Sequence, residues 1–164
     1  MLKALIFMPV IGALAVAVLP ARRPLLLWQV AMLFSLTALA YSLWLATHFD
    51  PAGAALQMFE SRAWNARLGS SFALGVDGIS LAMLLLTALL TLIAVLVSRR
   101  MEAGARLYFT LVLLLESAIF GVFTARDWSL FYVFWEATLL PLFFLIDRLG
   151  GPNRQRAALN FFLY

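Results

Sequence analysis

The sequence predicts an all-α integral membrane protein, a bundle of five transmembrane helices followed by the start of a sixth. Three observations carry that prediction. Of the 164 residues, 65% are hydrophobic and only 12% charged, with a mean hydropathy of +0.98. That is more apolar surface than a soluble domain needs. Long apolar runs recur along the chain, and the charges sit in the segments between them. Those charges also alternate in kind from one connection to the next.

The spans read in order as 4–19, 25–47, 79–97, 107–124 and 128–146, with 157–164 opening a sixth helix after two turns. Each of the first five is about long enough for the ~30 Å hydrocarbon layer at ~1.5 Å per residue. The first is the shortest and contains Pro9. Lys3, an apolar stretch and the small residue Ala21 also fit a cleaved leader, a reading disfavoured because a second span follows at once. The whole of 1–164 reads as one transmembrane domain. The connection His48–Gly78 contains Pro51, Gly53, Gly69, Ser70 and Ser71. It has room for a short interfacial helix around Ala54–Leu68, with Trp64 at the headgroups.

Arg22, Arg23, Arg99, Arg100, Arg106, Arg148, Arg154 and Arg156 fall on one side of this arrangement. Lys3, Arg62, Arg67 and Arg126 fall on the other, offset by Asp50, Glu60, Asp77 and Asp127. The positive-inside rule then places the N-terminus outside and the Arg-rich loops in the cytoplasm. This pattern also accounts for the +4 net charge without invoking nucleic acid. The absence of Cys excludes a disulfide framework, a thiol redox centre and Cys-ligated metal. A lone His48, in THFDP, reads as a surface turn. No metal site, phosphate loop or nucleophile–base pair is expected; Gly150 and Gly151 before Pro152 make a turn.

Polar residues inside apolar runs carry the functional reading. Glu136 lies mid-span in FYVFWEATLLPLFF. An acid there costs roughly 2.5 kcal/mol or more and normally faces protein or water. It lies nine residues after Asp127, about 13.5 Å along the axis. Glu116 lies ten residues after Arg106, about 15 Å along its own helix. Two acids at one depth on successive helices are candidates to share or pass a proton. Ser129, Tyr132, Glu136 and Asp147 fall on one stripe of the fifth span, with Phe134 and Leu145 opposite. Phe143 interrupts that stripe. Pro141 deprives the Ala137 carbonyl of its helical donor and is a candidate kink beside the acid. Tyr132 and Glu116 are therefore possible relay groups around Glu136. Asp77, Ser80, Leu84, Thr87, Thr91, Ala94 and Ser98 form one face of the third span, a packing seam, with Asp77 as its cap.

The strings LGVDGISLAMLLLTALLTLIAVL, DWSLFYVFWEATLLPLFFLIDRLGG and RAALNFFLY, in this order, are specific. They resemble the chain M (subunit 4) type of bacterial NADH:quinone oxidoreductase, complex I, most strongly over Leu74–Tyr164. The wider family includes cation/proton antiporter subunits and membrane subunits of energy-conserving hydrogenases. The resemblance implies the N-terminal portion of a larger antiporter-like fold with its N-terminus outside, in the bacterial inner membrane. It implies a proton-translocating subunit that works with other membrane subunits of an oxidoreductase. It implies no cofactor of its own and no direct binding of NADH or quinone. It matches Glu136 to a fifth-helix glutamate that pairs with a lysine on the seventh helix, at one end of a polar axis.

Two departures stand out. Asn160 occupies a position where this family usually has lysine, and the seventh-helix lysine would lie beyond Tyr164. The expectation is therefore a fragment, a split subunit or a truncated copy. The alternatives to a respiratory subunit are a cation/proton antiporter or hydrogenase membrane subunit, and a non-transporting scaffold.

Overall fold

The computed structural model describes residues 1–53, 55–65 and 69–163. Over these residues the chain forms α1 (Leu2–Val18), α2 (Pro24–Thr47), β1 (Gln57–Asn65), β2 (Ser70–Val76), α3 (Gly78–Val97), α4 (Ala105–Thr124), α5 (Trp128–Leu149) and α6 (Arg154–Leu163). A single 3₁₀ turn, Ser98–Arg100, follows α3. Helices α2, α4 and α5, together with α3 and its 3₁₀ extension, are long and apolar enough to cross a membrane. The first helix is apolar but has 17 residues, about 25 Å of rise. Of the five expected spans, four therefore meet both conditions and α1 is a shorter apolar helix. The expected sixth-helix start is present as the ten residues of α6, with Tyr164 outside the described residues.

Local chemistry sets the ends. Pro24 occupies the first turn of α2, where its missing N–H is no loss. Asp77 Oδ1 accepts from Ser80 N at 2.8 Å and caps α3 as expected. Asp127 Oδ1 accepts from Ser129 N (2.9 Å) and Leu130 N (3.2 Å) and caps α5. Gly104 takes φ +75° just before α4, a left-handed conformation that glycine adopts without a Cβ penalty.

Helix α4 lies at the centre, packed against α1, α2, α3 and α5. Two apolar clusters fill the bundle. One joins Leu5, Ile6, Ala38, Leu45, Leu84, Ala88, Phe120 and Leu130 with β2 residues Leu74 and Val76. The other joins Ala13, Val16, Leu27, Ala31, Val95, Phe109, Val112 and Leu113. Buried Ser80, Leu84 and Thr87 confirm the packing seam of α3. Close approaches use glycine: a Cβ added at Gly12 would lie 2.5 Å from Phe34 Cγ. Pro9 weakens one turn of α1, and beside it Ser117 Oγ donates to the Ile6 carbonyl at 2.7 Å. His48 ends α2 on the surface, with Nδ1 2.9 Å from the Trp44 carbonyl.

The expected interfacial helix around Ala54–Leu68 is corrected. Residues Gln57–Asn65 form a strand, antiparallel to β2, in the register Glu60↔Leu74, Ser61↔Ala73 and Arg62↔Phe72. Ala54 and residues 66–68 lie outside the described residues. A helix would leave Ser70–Val76 without a partner strand. The hairpin instead pairs the facing edges of the two segments and buries Ala73, Leu74 and Val76 over the helix ends.

Candidate functional site

Glu136 stands on α5, whose packed face is set by Leu130, Phe134, Ala137 and Pro141. Leu130 and Pro141 are buried. Phe134 meets Gly121 on α4 so closely that any Cβ at Gly121 would overlap its ring. Ala137 and Pro141 line an apolar groove of about 380 Å³ between α1, α4 and α5. The helix runs unbroken through Pro141. Leu145 packs on the second apolar cluster. Phe134 and Leu145 thus occupy the packed side, as the helical stripe predicted. Ser129, Tyr132 and Glu136 are exposed on the other side, and Asp147 is half-buried beside Arg148 (3.1 Å). Tyr132, one turn nearer the start of α5, is in electrostatic contact with Glu136. Among the described residues, no cation forms an ion pair with Glu136.

Glu116 has the opposite setting. It is 0% exposed, and neither carboxyl oxygen has a hydrogen-bond partner among the described residues. Along α4 it lies between Phe120 of one apolar cluster and Leu113 of the other. The two acids, at matching depth in sequence terms, therefore face different environments. One is enclosed by helices and the other is turned away from them. Among the described residues no hydrogen bond links them.

The start of α3 and the α4–α5 connection carry a polar lattice that was legible in the sequence only as the Asp77 cap. Arg126 Nη2 donates to Asp77 Oδ2 (2.9 Å) and Ser80 Oγ (2.8 Å). The Arg126 backbone N donates to Ala73 O at 2.8 Å, and Ala125 bridges Leu74 in antiparallel fashion. Asp127 Oδ2 accepts from Ser71 N (3.0 Å) and Ser71 Oγ (3.2 Å). The backbone N–H of Ser80 holds the Asp77 carboxyl below its ordinary range, and Arg126 adds to this. The backbone N–H of Ser71, joined by those of Leu130 and Ser129, does the same for Asp127. Arg126 was legible only as one base of an outer loop, because its partners lie 49 and 46 residues away.

Among the described residues no group of three or more His, Cys, Asp or Glu side chains is placed to hold a metal ion. With several apolar helices of membrane-crossing length, the chain is a multi-pass membrane protein. Residues 125–164, which include Glu136, match the family described as NADH:quinone oxidoreductase/Mrp antiporter, TM. The chain is 37% identical over 166 residues to NAD(P)H-quinone oxidoreductase chain 4 1 of Synechococcus elongatus, covering 99% of this chain and 31% of that protein. It is also 37% identical to NADH-quinone oxidoreductase subunit M of Rickettsia conorii, covering 97% of this chain and 34% of the relative. Among solved structures, respiratory complex I from Thermus thermophilus matches with a TM-score of 0.83 and 28% identity, over 100% of this chain and 32% of that one. The chain thus spans about a third of the length of the curated relatives it matches. Sequence and fold agree over nearly all of its residues, and the chain belongs to the NADH:quinone oxidoreductase/Mrp antiporter family of transmembrane subunits.

Proposed function

We propose that this chain is part of a proton-translocating membrane subunit of a respiratory NADH:quinone oxidoreductase, with Glu136 as its proton-transferring group. One observation carries the reading: Glu136 is mid-span on the face of α5 that the other helices leave open. Lipid cannot solvate a carboxylate at that depth, so the face meets protein or a water-filled path. The resemblance supplies the chemistry, a lysine from residues outside these 164. A cation beside Glu136 favours its charged form, and withdrawal of that cation favours proton uptake. Moving one ion pair therefore loads or releases a proton.

Tyr132 has a supporting role as the hydroxyl next outward from Glu136. Glu116 is a second relay candidate of another kind. An acid enclosed on all sides exchanges protons only when α4 and its neighbours part. In this proposal other subunits of the complex carry the electron chemistry, and residues outside these 164 continue the polar axis. The subunit sits in the bacterial inner membrane, N-terminus outside, with the Arg-rich ends in the cytoplasm. It contributes to an oxidoreductase without redox groups of its own.

Glu136→Gln in the assembled complex tests the assignment. The expected result is normal assembly and electron transfer with loss of proton translocation. Undiminished translocation with glutamine at this position refutes it. The family match also covers Mrp antiporters, which favours a second reading as a cation/proton antiporter subunit. Sodium-dependent proton exchange in vesicles would select that reading.

A further inference from the structure

We propose that Arg126 is a positioning residue for Glu136: its ion pair with Asp77, stitched to β2, sets the rotation and depth at which α5 presents the acid. The inference rests on the assignment of Glu136 above and adds the element that governs it.

Within these 164 residues, 11% of the spanning window of α5 is buried, against 56% for α4. Its outer end is different. The connection Ala125–Asp127 makes long-range hydrogen bonds at two successive residues, to β2 and to the start of α3. One nitrogen of the Arg126 guanidinium serves both the cap of α3, Asp77, and a first-turn hydroxyl, Ser80. The adjacent Asp127 both caps α5 and accepts from Ser71 of β2. The start of α5 is thereby tied to α3 through the Arg126 side chain and to β2 through both Arg126 and Asp127.

That tie controls Glu136 through a rigid lever. Nine residues, about 13.5 Å of helix, separate Asp127 from Glu136. A rotation of α5 by one residue position, about 100°, carries the carboxyl from the open face toward the packed face that Ala137 now occupies. A charged hydrogen-bonded anchor at this end resists that rotation and adds to the apolar contacts of Leu130, Phe134 and Pro141 below it. Hydrogen bonds to charged groups are directional as well as strong.

Arg126→Gln in the complete membrane complex tests the proposal. Three quantities are measured: the amount of chain assembled, the electron-transfer rate, and protons translocated per electron pair. The expected result is normal assembly and electron transfer, with a proton yield reduced about ten-fold, as loss of a charged hydrogen bond implies. Arg126→Lys restores part of the yield. The chain contains no cysteine, which allows a covalent substitute. Leu74 and Ala125 face each other across an antiparallel bridge. Such pairs sit about 4.5–5.5 Å apart at Cα, within disulfide range. In an R126Q background, oxidised L74C/A125C should recover proton yield, and reduction should abolish the recovery.

A wild-type yield in R126Q overturns the proposal. So does a yield that falls only in proportion to the amount of assembled chain, since that describes a folding role. If R126Q fails to accumulate, the oxidised disulfide decides: recovery of assembly without recovery of yield per assembled chain also overturns it. Failure of the Glu136 assignment is seen separately, as a normal yield in E136Q.

Discussion

The contact between Gly121 and Phe134 sets the spacing of α4 and α5, and it can be tested by a single methyl group. A Cβ added at Gly121 would lie 2.5 Å from Phe134 Cε1 and closer still to Cδ1 and Cγ. The obstacle is a ring fixed near its own backbone, so relief requires α5 to shift or Phe134 to change rotamer. Overpacking of this kind costs about 1–3 kcal/mol. Replacing glycine by alanine inside a helix recovers up to about 1 kcal/mol of propensity. The two terms leave Gly121→Ala destabilised by about 1–2 kcal/mol.

Removing the ring changes the sign. Phe134→Ala is destabilising alone, toward the low end of the ~3–5 kcal/mol range for Phe truncation because the side chain is half-buried. In that background Gly121→Ala meets no ring and keeps only its propensity gain. The coupling energy across the double-mutant cycle is then about 1–3 kcal/mol. Reversible unfolding of the four variants in detergent micelles, followed by helical signal, measures it. Additive costs, with Gly121→Ala equally damaging in both backgrounds, refute the claim that this contact holds the helices apart.

Two further outcomes follow from the hydrogen bonds. Ser117→Ala removes the α4 hydroxyl that donates to the Ile6 carbonyl and should cost about 0.5–2 kcal/mol in the same unfolding assay, whereas Ser117→Thr keeps the hydroxyl and most of the stability. The Asp77 carboxyl is held below its ordinary range, so its contribution is present above the unfolded carboxylate value of about 3.9 and is lost as pH falls through the lower native value. The thermal stability advantage of the wild type over Asp77→Asn should therefore stay constant from neutrality down to about pH 4 and shrink only below it. An advantage that already fades near neutrality contradicts this assignment.

The helices were legible because each is encoded locally. Hydropathy marks α2 to α5, Asp77 marks the start of α3, and the spacing of Ser80, Leu84 and Thr87 marks a packed face. The hairpin was not. Met58, Phe59 and Trp64 carry no clean two-residue alternation, because the pairing is irregular between Gln57 and Glu60 and between Ala63 and Asn65. What makes Gln57–Asn65 a strand is its partner Ser70–Val76, and what makes that partner a strand is burial over helix ends brought in by α3, α4 and α5. The position of Arg126 has the same origin. Its partners Asp77 and Ser80 are nearby only after the third and fourth helices have packed.

The two intramembrane acids show how far depth alone carries a functional reading. Counting residues puts Glu116 and Glu136 near one level on two neighbouring helices. Which way each side chain faces depends on helix rotation. On α4 it follows from a helix enclosed on several sides, which directs Glu116 into the seam between Leu113 and Phe120. On α5 it follows from a packed face of Leu130, Phe134 and Pro141, held in rotation by the Arg126 tie at its start, which leaves residue 136 on the other side. An acid directed outward can meet a base from another segment without moving its own helix. An acid sealed inside must wait for helices to separate. The same side chain on two neighbouring helices thus meets two settings, a carboxyl sealed between helices and a carboxyl on an open face, and helix rotation rather than sequence position decides which.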